Sequence, residues 1–294
     1  MGATDLRSQG RDAIRHAAVA NGLPTNIDVI SERWNTVAKL GESGVIAKAA
    51  PIGHLARRDT SRWYQQELHV CRQLVARGAP VQEPFSDSVF IAPGSDIPVS
   101  LWHVVAGEMG ESGEQQLVDS LAEIHRLGES LTLDQPWFAT LTCHFTDVFE
   151  AFRERELVDA LTIRKMDGQY QRLMGLLGAF NLKQGLIHGD AQRKNAIANG
   201  DRSVWIDLEE CSIGPLAWDI ACLAKRAEFD TDRILDRYAE VSGSNRIPNN
   251  AVEVLQELRD LEALTWMIAI QEAREPEFQK ATAEWIERWS ATAG

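Results

Sequence analysis

Apolar residues recur along this chain with two periods, and the change from one to the other divides it. Leu6, Ile14, Ala17 and Ala18 fall at roughly helical spacing, closed by Gly22 and Pro24, which predicts an amphipathic helix outside the first sheet. Three short strand candidates follow at residues 27–30, 35–40 and 45–49, with Gly41-Glu42-Ser43-Gly44 as the turn between the last two. Over residues 59–76, Trp63, Leu68, Cys71, Leu74 and Val75 make one face of a helix that Gly78 closes. Residues 88–92 and 98–105 read as two more strands, completing a five-stranded antiparallel sheet with one helix. After Gly107 the period turns helical. Leu117, Leu121, Ile124, His125 and Leu127 form one face, residues 145–180 hold one or two helices, and 230–242 and 251–289 are again amphipathic. Trp266, Trp285 and Trp289 are spaced for core packing. The expected architecture is α+β and bilobal, a sheet lobe over residues 1–105 and a larger, mainly helical lobe over 106–294, joined at Val105-Ala106-Gly107.

The chemistry concentrates in one stretch. Leu186-Ile187 leads into His188-Gly189-Asp190, and Asn195 follows five residues after the aspartate. A second apolar run, Val204-Trp205-Ile206, ends on Asp207. One carboxylate, a carboxamide and a second carboxylate in this order suit phosphoryl transfer. Asp190 can accept the proton of an attacking hydroxyl, while Asn195 and Asp207 can hold Mg²⁺ against the phosphates of ATP. Taken singly, His-Gly-Asp is a common turn and a strand-ending Asp a common cap. Their joint occurrence between two strand-like runs is what carries the reading. Gly214-Pro215 and Trp218-Asp219 follow, and Asp219 reads as structural, fixing the catalytic loop or capping the next helix.

This block resembles the aminoglycoside phosphotransferase and choline kinase group, the small-molecule branch of the protein-kinase-like fold. The motif begins His-Gly-Asp where protein kinases have His-Arg-Asp, and Asp207 precedes Leu-Glu where they have Phe-Gly. The resemblance implies a bilobal kinase-like fold and a nucleotide half of the site. Lys48, in Val45-Ile46-Ala47-Lys48-Ala49, is the candidate phosphate contact; strand alternation puts it with Ile46 on one face. Glu67 on the following helix would hold it. Ser31, in a turn without glycine, would cover the triphosphate, and the His103 carbonyl and Val105 N–H would meet adenine.

Composition narrows the partners. The net charge is −13, but the first 103 residues carry 11 Lys/Arg and 10 Asp/Glu, leaving −14 to the remainder. Nucleic-acid partners need the opposite sign. An acidic second half suits a cationic acceptor, with Glu209 and Glu210 as candidate anchors; an acidic surface for solubility explains the charge equally well. No apolar run is long enough to span a membrane, and the segment from Met1 to Asp5 shows no signal-peptide pattern. Cys71, Cys143, Cys211 and Cys222 lack metal-ligand spacing and read as reduced thiols of a cytoplasmic protein. The expected activity is ATP- and Mg²⁺-dependent transfer to a hydroxyl of a small molecule, an aminoglycoside-like cation or else a sugar, choline or amino acid. The expectation from another class is a kinase-like nucleotide-binding protein without turnover.

Overall fold

The computed structural model describes residues 3–226 and 229–292. Met1 and Gly2, part of the N-terminal segment considered above, lie outside them. Helix α1 (Ala3–Ala20) precedes strands β1 (Ile27–Glu32), β2 (Thr36–Leu40) and β3 (Val45–Ala49). Helix α2 (Thr60–Ala76) follows, then β4 (Phe90–Ile91) and β5 (Pro98–His103). The five strands form one antiparallel sheet in the order β1-β2-β3-β5-β4. Strand alternation sets its two faces. Ala38, Leu40, Val45, Ala47, Ala49, Val99 and Leu101 are buried with Ala13, Ile14, Ala17 and Ala18 of α1, whose small side chains let helix and sheet approach closely. The opposite face carries Lys48 toward α2. That helix starts on Asp59, whose carboxylate accepts from the Arg62 N–H at 3.0 Å.

Two strands are shorter than their apolar runs. β4 keeps only Phe90 and Ile91 because Pro93 and Gly94 turn the chain, Gly94 at φ +77°. β5 stops at His103 because the Val104 N–H leaves the ladder for the Gly44 carbonyl at 2.9 Å.

Past Gly107 come β6 (Glu108–Met109), α3 (Glu114–Leu127), α4 (Ala139–Glu154) and α5 (Ala160–Leu177). Four short strands follow: β7 (Gln184–Ile187), β8 (Ala196–Asn199), β9 (Arg202–Trp205) and β10 (Ser212–Pro215). β10 pairs with β7, and β8 lies between β6 and β9. This pairing leaves two loops at the same place, one from His188 to Asn195 and one from Ile206 to Cys211. Helices α6 (Ala217–Arg226), α7 (Thr231–Ser242), α8 (Asn249–Ile270) and α9 (Pro276–Thr292) complete the chain. The apolar stretch over 251–289 is therefore two helices, broken by a 3-10 turn at Gln271–Ala273 and restarted by Pro276 in its first turn. α8 buries most of its surface, leaving Glu253, Glu257 and Asp260 as an exposed stripe, and acts as the axis of this part.

Two seams join the parts. Trp205, fully buried, donates from its backbone N–H to Pro80 at 2.8 Å and accepts from the Gln82 N–H at 2.9 Å. At the other seam the β1–β2 turn rests on α9. Trp34 packs edge-on to Phe278 with ring centroids 6.1 Å apart, and the Arg274 guanidinium lies over both rings and donates to the Arg33 carbonyl.

Candidate active site

The loop between β7 and β8 is held from behind by Asp219. Its buried carboxylate accepts from the His188 N–H at 2.6 Å, the Gly189 N–H at 3.0 Å and the His125 ring at 2.9 Å. Asp219 therefore fixes the loop backbone, one of its two expected roles. The Trp218 indole adds a bond to the Gly189 carbonyl at 2.7 Å. Gly189 sits at φ +92° because a Cβ there would fall 2.2 Å from the Glu210 carbonyl oxygen. That close approach brings the two loops together.

At the front of the loop, Asn195 donates to Asp190 Oδ2 at 2.9 Å and to the Asp190 carbonyl at 2.9 Å. Its amide nitrogen thus faces Asp190, and its oxygen is the atom left for a cation. Asp207 has φ +64°, a conformation that costs a non-glycine residue about 1–3 kcal/mol and persists where the surroundings over-determine it. Its Oδ1 accepts from Lys48 Nζ at 2.8 Å. Lys48 also donates to Glu67 at 2.7 Å and to Glu209 at 3.2 Å, and stands over the Tyr64 ring at 4.7 Å. Burial works to lower its pKa, but the carboxylates of Asp207, Glu67 and Glu209 outweigh it and hold the ammonium well above the usual lysine value. Lys48, from far earlier in the chain, therefore shares one cleft with Asp190, Asn195 and Asp207.

The other sequence candidates stand differently. Ser31 is half-buried at the end of β1, its hydroxyl accepting from the Arg33 N–H at 3.4 Å within its own turn. The His103 carbonyl accepts from the Gln82 side chain at 2.9 Å, which takes one of its two lone pairs. Val105 lies half-buried in the segment that follows β5. Glu209 and Glu210 are not free anions on a rim. Arg57 bonds both, at 3.2 Å and 2.5 Å, and Asn35 reaches Glu209 at 3.1 Å.

The arginines were not anticipated. Arg57 follows the 3-10 turn Gly53–Leu55 and is buried between the rings of Trp63 and Trp266, 4.7 and 4.9 Å from their centroids. Arg259, buried on α8, donates to Asp190 Oδ1, bonds Glu262 at 2.7 Å and lies 3.6 Å from Glu210. Gln192 donates to the same Asp190 oxygen. A sequence signal existed for this network: Arg259 and Glu262 stand three apart inside an apolar run, and buried charges at that spacing are paired. The tryptophans Trp266, Trp285 and Trp289 pack against the core, as their spacing predicts, but only in part. Trp266 and Trp285 are only half-buried, and with Trp34 they line a cavity of about 190 Å³ beside Asp190, Asp207 and Glu262.

Six carboxylates (Glu67, Asp190, Asp207, Glu209, Glu210 and Glu262) thus face three buried cations, Lys48, Arg57 and Arg259. The excess shows in two of them. Burial, opposed by Lys48 and aided by Asp207 and Glu209, lifts Glu67 to about 8. Burial, opposed by Arg57 and Arg259 and aided by Glu262 and Asp190, lifts Glu210 to about 8. Among the described residues no group of three or more His, Cys, Asp or Glu has metal-site geometry. A hard cation would therefore be shared between the Asn195 and Asp207 oxygens and its other ligands, a donor set that fits Mg²⁺.

His144 backs this network from α4. Its Nε2 is 2.8 Å from the Thr265 hydroxyl, which itself donates to the Glu262 carbonyl, so Nε2 carries the proton. Burial, then the charges of Arg57 and Arg259, lower its pKa from 6.5 to about 3. The unfolded chain thus binds this proton first, and folding stability falls as pH drops from about 6.5 to about 3 by up to ~1.4 kcal/mol per pH unit. His144→Gln is expected to flatten that slope in urea titrations between these pH values. A variant as steep as the wild type would show that His144 is not the group responsible.

The chain belongs to the phosphotransferase enzyme family, whose model matches residues 46–261. None of the curated proteins matches it. Among solved structures it is similar to amicoumacin kinase hAmiN in complex with AMP-PNP, Ca²⁺ and Ami, at 14% identity over 93% of this chain and 91% of that one, TM-score 0.68. It is also similar to choline kinase LicA from Streptococcus pneumoniae, at 15% identity over 95% and 98%, TM-score 0.66. Aminoglycoside phosphotransferase APH(3'')-Id from Streptomyces rimosus in complex with ADP and streptomycin aligns at 12% identity over 85% and 97%, TM-score 0.61. The fold is the bilobal kinase-like α+β fold, carried here by a member of the phosphotransferase enzyme family.

Proposed function

We propose that this protein transfers the γ-phosphoryl group of ATP, with Mg²⁺, to a hydroxyl of a small cationic molecule. The observation that carries the reading is the convergence of Lys48, Asp190, Asn195 and Asp207 in one cleft. Asp190 orients the acceptor hydroxyl and takes its proton. Lys48, held by Glu67, meets the nucleotide phosphates. Asn195 and Asp207 hold the metal, which when bound neutralises charge developing on the phosphates. Ser31 and the segment from His103 to Val105 border the nucleotide, and the lobes divide after Val105. The names of the similar structures, which include AMP-PNP, ADP and cationic antibiotics, support nucleotide use and this acceptor class.

The acceptor cavity holds Trp34, Trp266 and Trp285 against Asp190 and Glu262, and carboxylates outnumber cations around it. Such a pocket favours an amine over an anion. Glu209 and Glu210 act through their arginines, setting the charge of the pocket rather than gripping the acceptor. Magnesium-dependent ATP consumption, screened over amines, sugars and antibiotics against a no-acceptor background, tests the reading. Consumption that no acceptor stimulates would leave a nucleotide-binding protein without turnover. With the acceptor found, raising KCl from about 20 to 300 mM is expected to raise its KM while kcat changes little, since screening acts over roughly 10 Å at 0.1 M salt. A flat KM, or an anionic preference, would reject the cationic acceptor.

Asp207→Asn is expected to weaken Mg²⁺·ATP binding about 10- to 100-fold more than metal-free ATP, because the metal prefers a charged oxygen. Calorimetric titration with and without Mg²⁺ measures it. Equal losses in the two conditions would leave Asp207 as a partner of Lys48 only.

A further inference from the structure

A cavity of about 860 Å³ lies between α5, α8 and α9, against about 190 Å³ for the one at Asp190. Its origin is visible in α5. The helix buries Ile163, Met166, Leu173 and Leu177 in the core and turns Lys165, Gly168, Gln169 and Arg172, a face that is exposed or half-buried, toward the groove. A Cβ on Gly168 would meet no atom within 4 Å, so the space at that position is open. Trp285 and Trp289, one turn apart on α9, supply ring surface. The Trp289 indole is braced by a bond to Gln169 at 2.6 Å.

The charge on this wall is opposite to that of the chain. Lys165, Arg172 and Arg288 are at the cavity. Its two carboxylates are already engaged, Glu257 with Arg172 at 3.2 Å and Asp260 with Lys225 of α6 at 2.5 Å. Trp285 lines both this cavity and the acceptor cavity, so the two adjoin.

We propose that the groove between α5, α8 and α9 is a binding site for a flat, ring-bearing group that carries a negative charge. The ring stacks on Trp289 and Trp285, and the anion meets Lys165 and its basic neighbours. A volume of this size holds a drug-sized body. The occupant is a small molecule separate from the cationic acceptor. Binding here does not depend on the catalytic reading, and it can be measured in a protein that transfers nothing.

The probe is anilinonaphthalene sulfonate, a fused aromatic anion whose fluorescence reports binding, with N-phenyl-naphthylamine as its uncharged counterpart. With the cleft saturated by ATP, the wild type is expected to bind the anion at one site. Gly168→Leu, which puts a side chain into the open space while favouring the helix, is expected to weaken binding about tenfold or more with an undiminished Tm. Lys165→Glu is expected to weaken the sulfonate but not the uncharged dye. Equal binding of the sulfonate by wild type and Gly168→Leu would overturn the site, and equal effects of Lys165→Glu on both dyes would overturn its preference for an anion. Binding of the dye together with an acceptor found in the ATP screen supports a separate occupant, and displacement of the dye by that acceptor would overturn it.

Discussion

Asp190→Asn is expected to lower phosphoryl transfer by roughly 10²–10⁴-fold, the range contributed by a positioned general base, while ATP affinity stays near that of the wild type. The reason lies in what surrounds the side chain. Oδ1 accepts from Arg259 and Gln192, and Oδ2 accepts from Asn195 at 2.9 Å. Asparagine keeps the shape and one acceptor oxygen, but its amide nitrogen meets a donor, either Asn195 or Arg259 and Gln192, so a bond is lost together with the proton acceptor. Burial works to raise the Asp190 pKa, yet Arg259 and Lys194 outweigh it and keep the carboxylate below the usual range, ionised at neutral pH. Single-turnover rates at saturating acceptor, beside calorimetric ATP affinity, are the measurement. Unchanged turnover would remove Asp190 from the chemistry, and a parallel loss of ATP affinity would make its role structural.

Gly189→Ala is expected to cost roughly 3–5 kcal/mol of folding stability and most of the activity. Two penalties coincide. The residue sits at φ +92°, and the new methyl would fall 2.2 Å from the Glu210 carbonyl oxygen, against backbone that cannot swing away like a side chain. Relief requires the 188–190 backbone to move, which breaks bonds to Asp219 and Trp218, or the Glu210 backbone to move, which disturbs the pairing with Arg57. Urea unfolding measures the loss, and a change below about 1 kcal/mol would show that the loops separate without cost. The prediction stands apart from catalysis, because it concerns only how closely two loops pack.

Much of this could be read before folding. The α+β order of strands and helices follows from local periodicity, since alternation at β3 and helical spacing at α1 and α2 each need only neighbouring residues. The register that puts Lys48 on the face opposite Ala47 and Ala49 is likewise local. Asp190, Asn195 and Asp207 stand within 18 residues of one another on two adjoining loops, so a short motif contains them. The family resemblance added Glu67, whose helical position faces Lys48 at 2.7 Å.

What the sequence by itself determined is the set of groups brought to the reaction and the elements that bear them. Only the tertiary structure decided which charges meet. Arg259 reaches Asp190 across 69 positions, and Arg57 reaches Glu210 across 153. Buried ions find partners wherever the packed chain brings them, because an unpaired charge in the interior is too costly to leave, and no periodicity encodes that choice. For the same reason Glu209 and Glu210 read as open anions in sequence but are held by an arginine in space. Trp266 and Trp285 differ from core tryptophans only in what lies across from them: an arginine, a cleft and a wide groove. Those are properties of the assembled helices, not of α8 or α9 alone.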